Sequence, residues 1–374
     1  MSIEQYIHKK WMRRAIQLAS LGKGFTSPNP MVGAVITNKS GKLISEGFHE
    51  KTGTKHAEAM AFSNLKDDPA GGTLYVNLEP CCHRGKTPPC VDAIISSGLK
   101  RVFVSIKDPD VRVSGKGIKL LKDAGIEVHL GLCEEESLEL NKSFIHRNIT
   151  GTSFGVFKWA MSIDGRLGLK NGESKWITNV NSRSLVHKLR ADFDAIVIGG
   201  NTLRKDNPLL TTRGIKKPEP LRVVFTKTLN FPKECKLWET SYSDTLVVYD
   251  SSSADEKYLK DIPKGVSVEK VPSDNPKFLS KILAQKGCNS ILWECGPKLA
   301  TSAVKEGCIQ EFITFISPKI LGGDNCMTPF SDFEFTSMTN IINLNFGEIK
   351  QINSDIYIKS LINKLSSARL HTNI

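Results

Sequence analysis

His56-Ala57-Glu58, followed by Glu79-Pro80-Cys81-Cys82-His83-Arg84-Gly85-Lys86-Thr87-Pro88-Pro89-Cys90, is the stretch from which the rest of the chain can be read. It offers one imidazole and two separated thiols to a metal, plus a carboxylate that need not be a ligand. Zinc takes N and S donors in tetrahedral geometry, and three protein ligands leave the fourth position to water, as in catalytic sites. In mid-helix His56 and Glu58 would point to nearly opposite sides. They converge only in a first turn, where both reach past the helix end. Gly53-Thr54-Lys55 before them and Ala59-Met60-Ala61 after them read as a loop entering such a helix. Cys90 follows Pro88-Pro89 and precedes Val91-Asp92-Ala93-Ile94-Ile95, so it too is expected at a helix start. A helix N-terminus stabilises a thiolate, the form that binds metal.

Zinc nucleobase deaminases have a histidine, a glutamate two residues on that moves protons, then a Pro-Cys and a further cysteine. Here Cys81 and Cys90 lie farther apart than in the compact Cys-x-x-Cys, and Cys82 is a rival ligand, read as a bystander. His83 is expected in the pocket or at the surface. A structural zinc knuckle would explain neither Glu58 nor the two helix-start positions.

Outward from this stretch, strands and helices alternate. Val32–Ile36 and Leu43–Gly47 flank an Asn38-Lys39-Ser40-Gly41 turn, a hairpin signal. Strands are expected at Thr73–Leu78, Arg101–Ile106 and Glu127–Leu130, with a short helix around Ile118–Leu121. Ile7, Trp11, Ala15, Ile16 and Ala19 make the N-terminal stretch an amphipathic helix rather than a signal peptide. Such alternation predicts a layered, largely parallel α/β sheet, both metal-binding loops following strands at one sheet end.

The 374 residues suffice for two domains. No apolar run is long enough to span a bilayer, and no membrane partner is expected. Nine scattered cysteines suit a reducing cytoplasm better than a disulfide scaffold. The net charge of +12 is spread along the chain and interleaved with acids, without a basic tail. That pattern favours pockets for phosphorylated small molecules over nucleic acid.

Thr150-Gly151-Thr152 is a small polar break, beyond which a second strand series begins: Phe154–Ala160, Ala195–Ile198, Leu221–Phe225, Thr245–Tyr249, Ser290–Trp293 and Glu311–Ile316. Helices are expected near Ser182–Phe193 and Pro276–Gln285, and the tail Ser366–Ile374 is read as frayed. Ser162–Arg166 running into Gly172–Thr178, Gly199-Gly200-Asn201-Thr202, and Glu294-Cys295-Gly296-Pro297 each leave a strand through glycine. Such turns let backbone N–H groups approach a phosphate. No Gly-x-Gly-x-x-Gly fingerprint accompanies them.

To about residue 360 the chain resembles the bifunctional deaminase–reductases of riboflavin biosynthesis. The resemblance rests on Met12-Arg13-Arg14-Ala15, Ser27-Pro28-Asn29-Pro30-Met31-Val32-Gly33, His56-Ala57-Glu58 and Glu79-Pro80-Cys81 through Cys90. It implies a cytidine-deaminase-like zinc domain over residues 1–150 and a dihydrofolate-reductase-like NADPH domain over 151–365. It puts the zinc ligands on His56, Cys81 and Cys90, excludes Cys82, makes Glu58 the proton shuttle, and sets Asn29 near the deaminase substrate. Cofactor contacts are implied for Ala160, Trp176, Thr202 and Asp206. The loop Gly296, Pro297, Lys298, Leu299, Ala300, Thr301 and Ser302 would join them. Ser174, Arg190, Leu210, Arg213 and Glu294 would meet the phosphoribosyl substrate, guanidinium groups pairing well with phosphate.

The implied chemistry is hydrolytic deamination of 2,5-diamino-6-(5-phosphoribosylamino)pyrimidin-4(3H)-one, then NADPH-dependent reduction of its ribosyl group to a ribityl chain. A homo-oligomer is also expected. Asp108-Pro109-Asp110-Val111 departs from the family's Asp-Pro-Asn-Pro, placing a carboxylate where the family has an amide. Two rivals are a deaminase whose second half only binds or assembles, and a deaminase acting on RNA.

Overall fold

Alternation of buried side chains between two cores, rather than helix propensity, organises the first half of the chain. The computed structural model describes residues 2–82, 88–110, 113–324 and 326–362; His83, Val111 and the tail from Ser366 lie outside these. The chain divides into two compact units between Thr150 and Gly151.

The first unit runs α1 (Ile3–Ser20), β1 (Gly33–Thr37), β2 (Leu43–Phe48), α2 (Ala57–Ser63), β3 (Thr73–Leu78), α3 (Cys90–Ser96), β4 (Arg101–Ile106), α4 (Lys116–Asp123), β5 (Glu127–Leu130) and α5 (Glu134–Thr150). Its sheet has the order β2-β1-β3-β4-β5. Ala34, Ile36, Leu74, Val76, Val102 and Val104 face one core, with Ala57, Val91, Ile94 and Leu121 of the helices. Val35, Tyr75 and Phe103, the residues between, face the other beneath Met12, Ala15 and Leu18 of α1. This is the period-2 signature of a sheet covered on both faces. The buried face of α1 is Met12, Ala15, Leu18 and Ala19, whereas Ile7 is exposed.

The sheet is less parallel than the alternation suggests. β1 pairs antiparallel with both β2 and β3, while β3–β4 and β4–β5 are parallel. The tight hairpin is the reason, since a two-strand turn cannot make a parallel pair. Two reversals cancel, so β2 and β3 still end at the same sheet edge. Gly47 on β2 is obligatory there: a Cβ would lie 2.5 Å from the Ala61 nitrogen and 2.7 Å from the Ala57 oxygen. That contact seats α2, and hence His56 and Glu58, directly on the sheet.

The second unit contains β6 (Phe154–Ser162), α6 (Val180–Ala191), β7 (Ala195–Gly199), α7 (Gly200–Asp206), β8 (Leu221–Thr226), β9 (Thr245–Asp250), β10 (Ser267–Val271), α8 (Pro276–Gln285), β11 (Ser290–Trp293), α9 (Pro297–Lys305), β12 (Glu311–Ser317), β13 (Leu344–Ile352) and β14 (Asp355–Ile362). Its sheet order is β10-β9-β8-β7-β11-β6-β12-β14-β13. Pairs from β10 to β12 are parallel, and β14 and β13 close the series antiparallel. From β6 the chain moves outward through β7 to β10, returns to β11 and crosses to β12. Strand order therefore reverses around β6, β11 and β7, and α/β ligands lie beyond the carboxyl ends of strands at such a point. β10, β13 and β14 are additions to the strands expected from sequence.

Candidate active sites

His56 is the N-cap of α2, in extended conformation, and Glu58 is the second residue of that helix. Cys90 opens α3 behind Pro89. Cys81 lies just beyond β3, its carbonyl accepting from the Val91 N–H at 3.2 Å. The His56 Nδ1 is 3.4 Å from each of the Cys81 and Cys90 sulfurs. All three donor atoms fall within 4.8 Å of one another. A tetrahedral zinc with Zn–S of about 2.3 Å and Zn–N of about 2.0 Å has N···S edges of about 3.5 Å. Both N···S separations thus match what zinc requires. Cys82 is outside this group and packs against the first unit's core beside Val32 and Phe62.

Electrostatics obey the geometry. Cys81 accepts from the Cys90 thiol, and despite burial this, with His56 and the Cys90 backbone N–H (3.3 Å), lowers its pKa to about 4. The anion so formed, together with burial, pushes the Cys90 thiol up. His56 is raised by the same sulfur. Glu58 is 3 % exposed. Burial first, then the Cys81 charge, raises it to about 7. A cation on the sulfurs would offset the second cause and leave the first.

A cavity of about 280 Å³ opens onto Glu58, His56 and Cys81. Asn29 lines it, as do His49, Glu79, Asp108, Asp110 and Arg147. Asn29 is positioned from both sides of Pro30. Buried Asn77 and Asn141 both grip the backbone of Met31: its carbonyl accepts from their side-chain amides at 3.0 and 2.9 Å, and its N–H donates to Asn141 Oδ1 at 2.8 Å. Arg147 donates to the Pro28 carbonyl at 2.9 Å. Sequence reasoning assigns no role to His49 or Glu79. His49 sits next to Asn29, and burial lowers its pKa. The buried Glu79 carboxylate accepts from the N–H groups of Asp108, Gly115 and Ile118 at 3.2, 2.9 and 3.2 Å. It therefore fixes the ends of the loop that carries Asp110. The Glu-Pro-Cys spelling is the available signal for Glu79; nothing local marks His49.

In the second unit, the residues around the strand reversal separate into two groups. Arg190, on α6, is not solvated as a helical arginine is by default. Its Nε donates to Glu294 Oε1 at 2.7 Å, one terminal nitrogen to Oε2 at 3.2 Å, and the other to the Thr211 carbonyl at 3.1 Å. Lys158 of β6 reaches the same carboxylate at 3.4 Å. Burial alone would raise Glu294; Arg190, then Lys158, reverse this and hold it at about 2. Sequence reasoning misses Lys158, although a lone lysine within Phe154–Ser162 is a visible anomaly.

Leu210 and Arg213 both have left-handed backbone, φ 54° and 57°, each costing about 1–3 kcal/mol. Glu219 holds this loop by accepting from Thr212 N and Oγ1 at 2.6 and 2.7 Å. Arg213 is exposed, whereas Leu210 is buried.

The other group rims the strand ends. Gly296 caps α9 and Gly199 caps α7, neither with a side-chain bond to the helix, which leaves first-turn N–H groups for a ligand. Gly200 permits close approach, since a Cβ would lie 2.4 Å from Thr226 Oγ1. Ala160, Thr202, Leu299 and Ser302 are partly exposed, and Lys298 and Asp206 are exposed. Ala300 is in the core, and Thr301 bonds the Ser331 N–H at 2.9 Å, so these two turn inward. Trp176 is exposed, stacked under the Arg183 guanidinium at 4.3 Å, and its carbonyl is held by Lys319 at 2.8 Å. Ser174 is partly exposed two residues before it.

Residues 5–106 match the family model of the cytidine and deoxycytidylate deaminase zinc-binding region, and residues 153–358 that of the RibD C-terminal domain. The chain is 41% identical over 346 residues to the riboflavin biosynthesis protein RibD of Synechocystis sp., covering 92% of this chain and 93% of that one. RibD of Aquifex aeolicus is 39% identical over 353 residues, covering 94% and 98%. The solved structure of Acinetobacter baumannii RibD superposes with a TM-score of 0.86 at 33% identity, over 96% of this chain and 100% of that one. A Thermotoga maritima diaminohydroxyphosphoribosylaminopyrimidine deaminase/5-amino-6-(5-phosphoribosylamino)uracil reductase gives 0.84 at 33% identity, over 96% and 100%. With a deaminase-type His/Cys/Cys centre in its first unit and a RibD reductase domain in its second, the chain belongs to the RibD family of bifunctional deaminase–reductases of riboflavin biosynthesis.

Proposed function

We propose that His56, Cys81 and Cys90 hold zinc, and that Glu58 carries protons in hydrolytic deamination of 2,5-diamino-6-(5-phosphoribosylamino)pyrimidin-4(3H)-one. The observation that carries this is a buried carboxylate in the first turn of the helix that His56 caps, beside an N/S/S donor set. Bound zinc supplies an activated water near neutral pH. Glu58 is the group that takes a proton and returns it to the departing amine, because burial keeps its pKa in the range that general acid–base work needs. Asn29 orients the ring in the 280 Å³ cavity. Cys82→Ser should therefore keep one zinc per chain and deaminate within about twofold of the parent, as metal analysis and an ammonia assay would check.

In the second unit, Arg190, Glu294 and the strained Leu210–Arg213 loop, with Ser174, are proposed to bind the phosphoribosyl product of the first step. Ala160, Trp176, Thr202, Asp206 and the Gly296–Ser302 turn are proposed to bind NADPH, Ala300 and Thr301 through backbone. NADPH supplies the hydride; the protein positions it. The deciding experiment monitors ammonia release before NADPH is added and loss of NADPH absorbance after. Ammonia and then oxidation supports both steps in that order. Ammonia without oxidation would reduce the second unit to binding or assembly, and deamination within an RNA probe would replace the substrate.

No helix among the described residues is long and apolar enough to cross a membrane, and a cytoplasmic enzyme without nucleic-acid or membrane partners is the reading we favour. A homo-oligomer is part of it. β13 is an edge strand exposed along nearly its whole length, with Phe346 and Ile349 69% and 55% exposed. Such an edge is normally covered. A twofold antiparallel pairing centred on Ile349 would set Glu348 opposite Lys350 of a second copy, the self-complementarity that an isologous interface needs. Phe346→Lys with Ile349→Lys should lower the sedimentation mass by half or more; an unchanged mass would exclude this edge.

A further inference from the structure

We infer that His49 is a positioning residue for the deamination, fixing the Asn29 carboxamide with its amino end toward the imidazole and its oxygen as the acceptor for a substrate N–H. His49 comes directly after β2 and is 3% exposed, its backbone N–H bound to the Val32 carbonyl at 2.9 Å. Its Nδ1 is 3.0 Å from the Lys55 carbonyl. A carbonyl can only accept, so Nδ1 carries the proton, and in the neutral ring Nε2 is then an acceptor. Asn29 Nδ2 lies 3.1 Å from that Nε2. Only the amino end of a carboxamide can face a bare ring nitrogen. The orientation of Asn29 is therefore set from Lys55, immediately before the metal-binding His56, through His49. The His49 and His56 rings meet edge-on at 5.9 Å between centroids, which places this relay against the metal centre without making His49 a ligand.

The consequence is specificity for a ring edge. An acceptor held in one orientation favours a pyrimidine edge that offers an amino or ring N–H over one that offers none. This rests on the proposed role of Asn29 in substrate binding, and the test separates the two. His49→Phe removes the acceptor; His49→Gln offers an amide oxygen to Asn29 in its place. The expected result is a deamination KM about tenfold higher for His49→Phe and within threefold of the parent for His49→Gln. Turnover number and zinc content should be little changed in both. On an Asn29→Ala background, His49→Phe should add nothing further. Equal KM values for the two His49 variants, zinc loss in both, or a full extra KM rise on the Asn29→Ala background would overturn the inference. Independently of turnover, long-range ¹H–¹⁵N spectra of the unliganded protein should show the His49 Nδ1–H tautomer, and an Nε2–H tautomer would also overturn it. A parent enzyme that releases no ammonia while showing the Nδ1–H tautomer would instead sink the reading of the reaction.

Discussion

Glu58→Gln is expected to keep one zinc per chain and to lose deamination by about 10²–10⁴-fold, the usual contribution of a positioned acid–base group. The metal should stay because the three proposed donors are His56, Cys81 and Cys90, which lie within 4.8 Å of one another without Glu58. Glutamine preserves the side-chain shape in a buried slot but can neither take nor return a proton. The reductase half reaction, measured with the deaminated substrate, should be unaffected. Loss of zinc in the variant would mean that Glu58 is a ligand; retained deamination would mean that the proton moves by another group.

The second large effect is expected at Glu294. Glu294→Gln leaves Arg190 and Lys158 facing each other with no counter-charge, each 12–15% exposed at the side chain. Breaking a buried ion pair on one side costs about 3–5 kcal/mol. The unfolding midpoint of the second unit should fall accordingly, and reductase turnover by about 10²-fold as the proposed substrate pocket loosens. Deaminase activity should persist. Four of the five tryptophans lie after residue 150, so fluorescence reports mainly on this unit.

The same group predicts a pH dependence. Its folded pKa of about 2 lies below the ordinary 4.5. A depressed carboxylate stabilises the fold above its unfolded pKa and loses that contribution as pH falls through the folded value. The parent should therefore lose about 3 kcal/mol between pH 4.5 and 2 from this residue alone. Glu294→Gln should show a flatter acid limb there. Parallel limbs would place the acid sensitivity elsewhere.

Local sequence carries much of this molecule because its chemistry is written in short spacings. His56-Ala57-Glu58 can serve one metal only at a helix start, and Pro88-Pro89 before Cys90 sets a second helix start. The buried strands are legible as apolar runs because both sheet faces are covered. Less legible are elements whose side chains are not buried: β10 and β13 are largely exposed, so they carry no strong apolar pattern. Asn353-Ser354 between Ile352 and Ile356 is an available turn signal for the β13–β14 hairpin.

By itself, then, the sequence pointed to a His/Cys/Cys donor set at two helix starts and determined the α/β plan and the family. Tertiary structure alone decided what lies far apart in the chain but meets in space. It buried Glu58 at the cavity, paired Arg190 with Glu294 across 104 residues, brought Lys158 to the same carboxylate, and set His49 against Asn29. Burial and long-range pairing shift charge and fix proton positions, and neither leaves a local pattern, because each depends on which strands become neighbours.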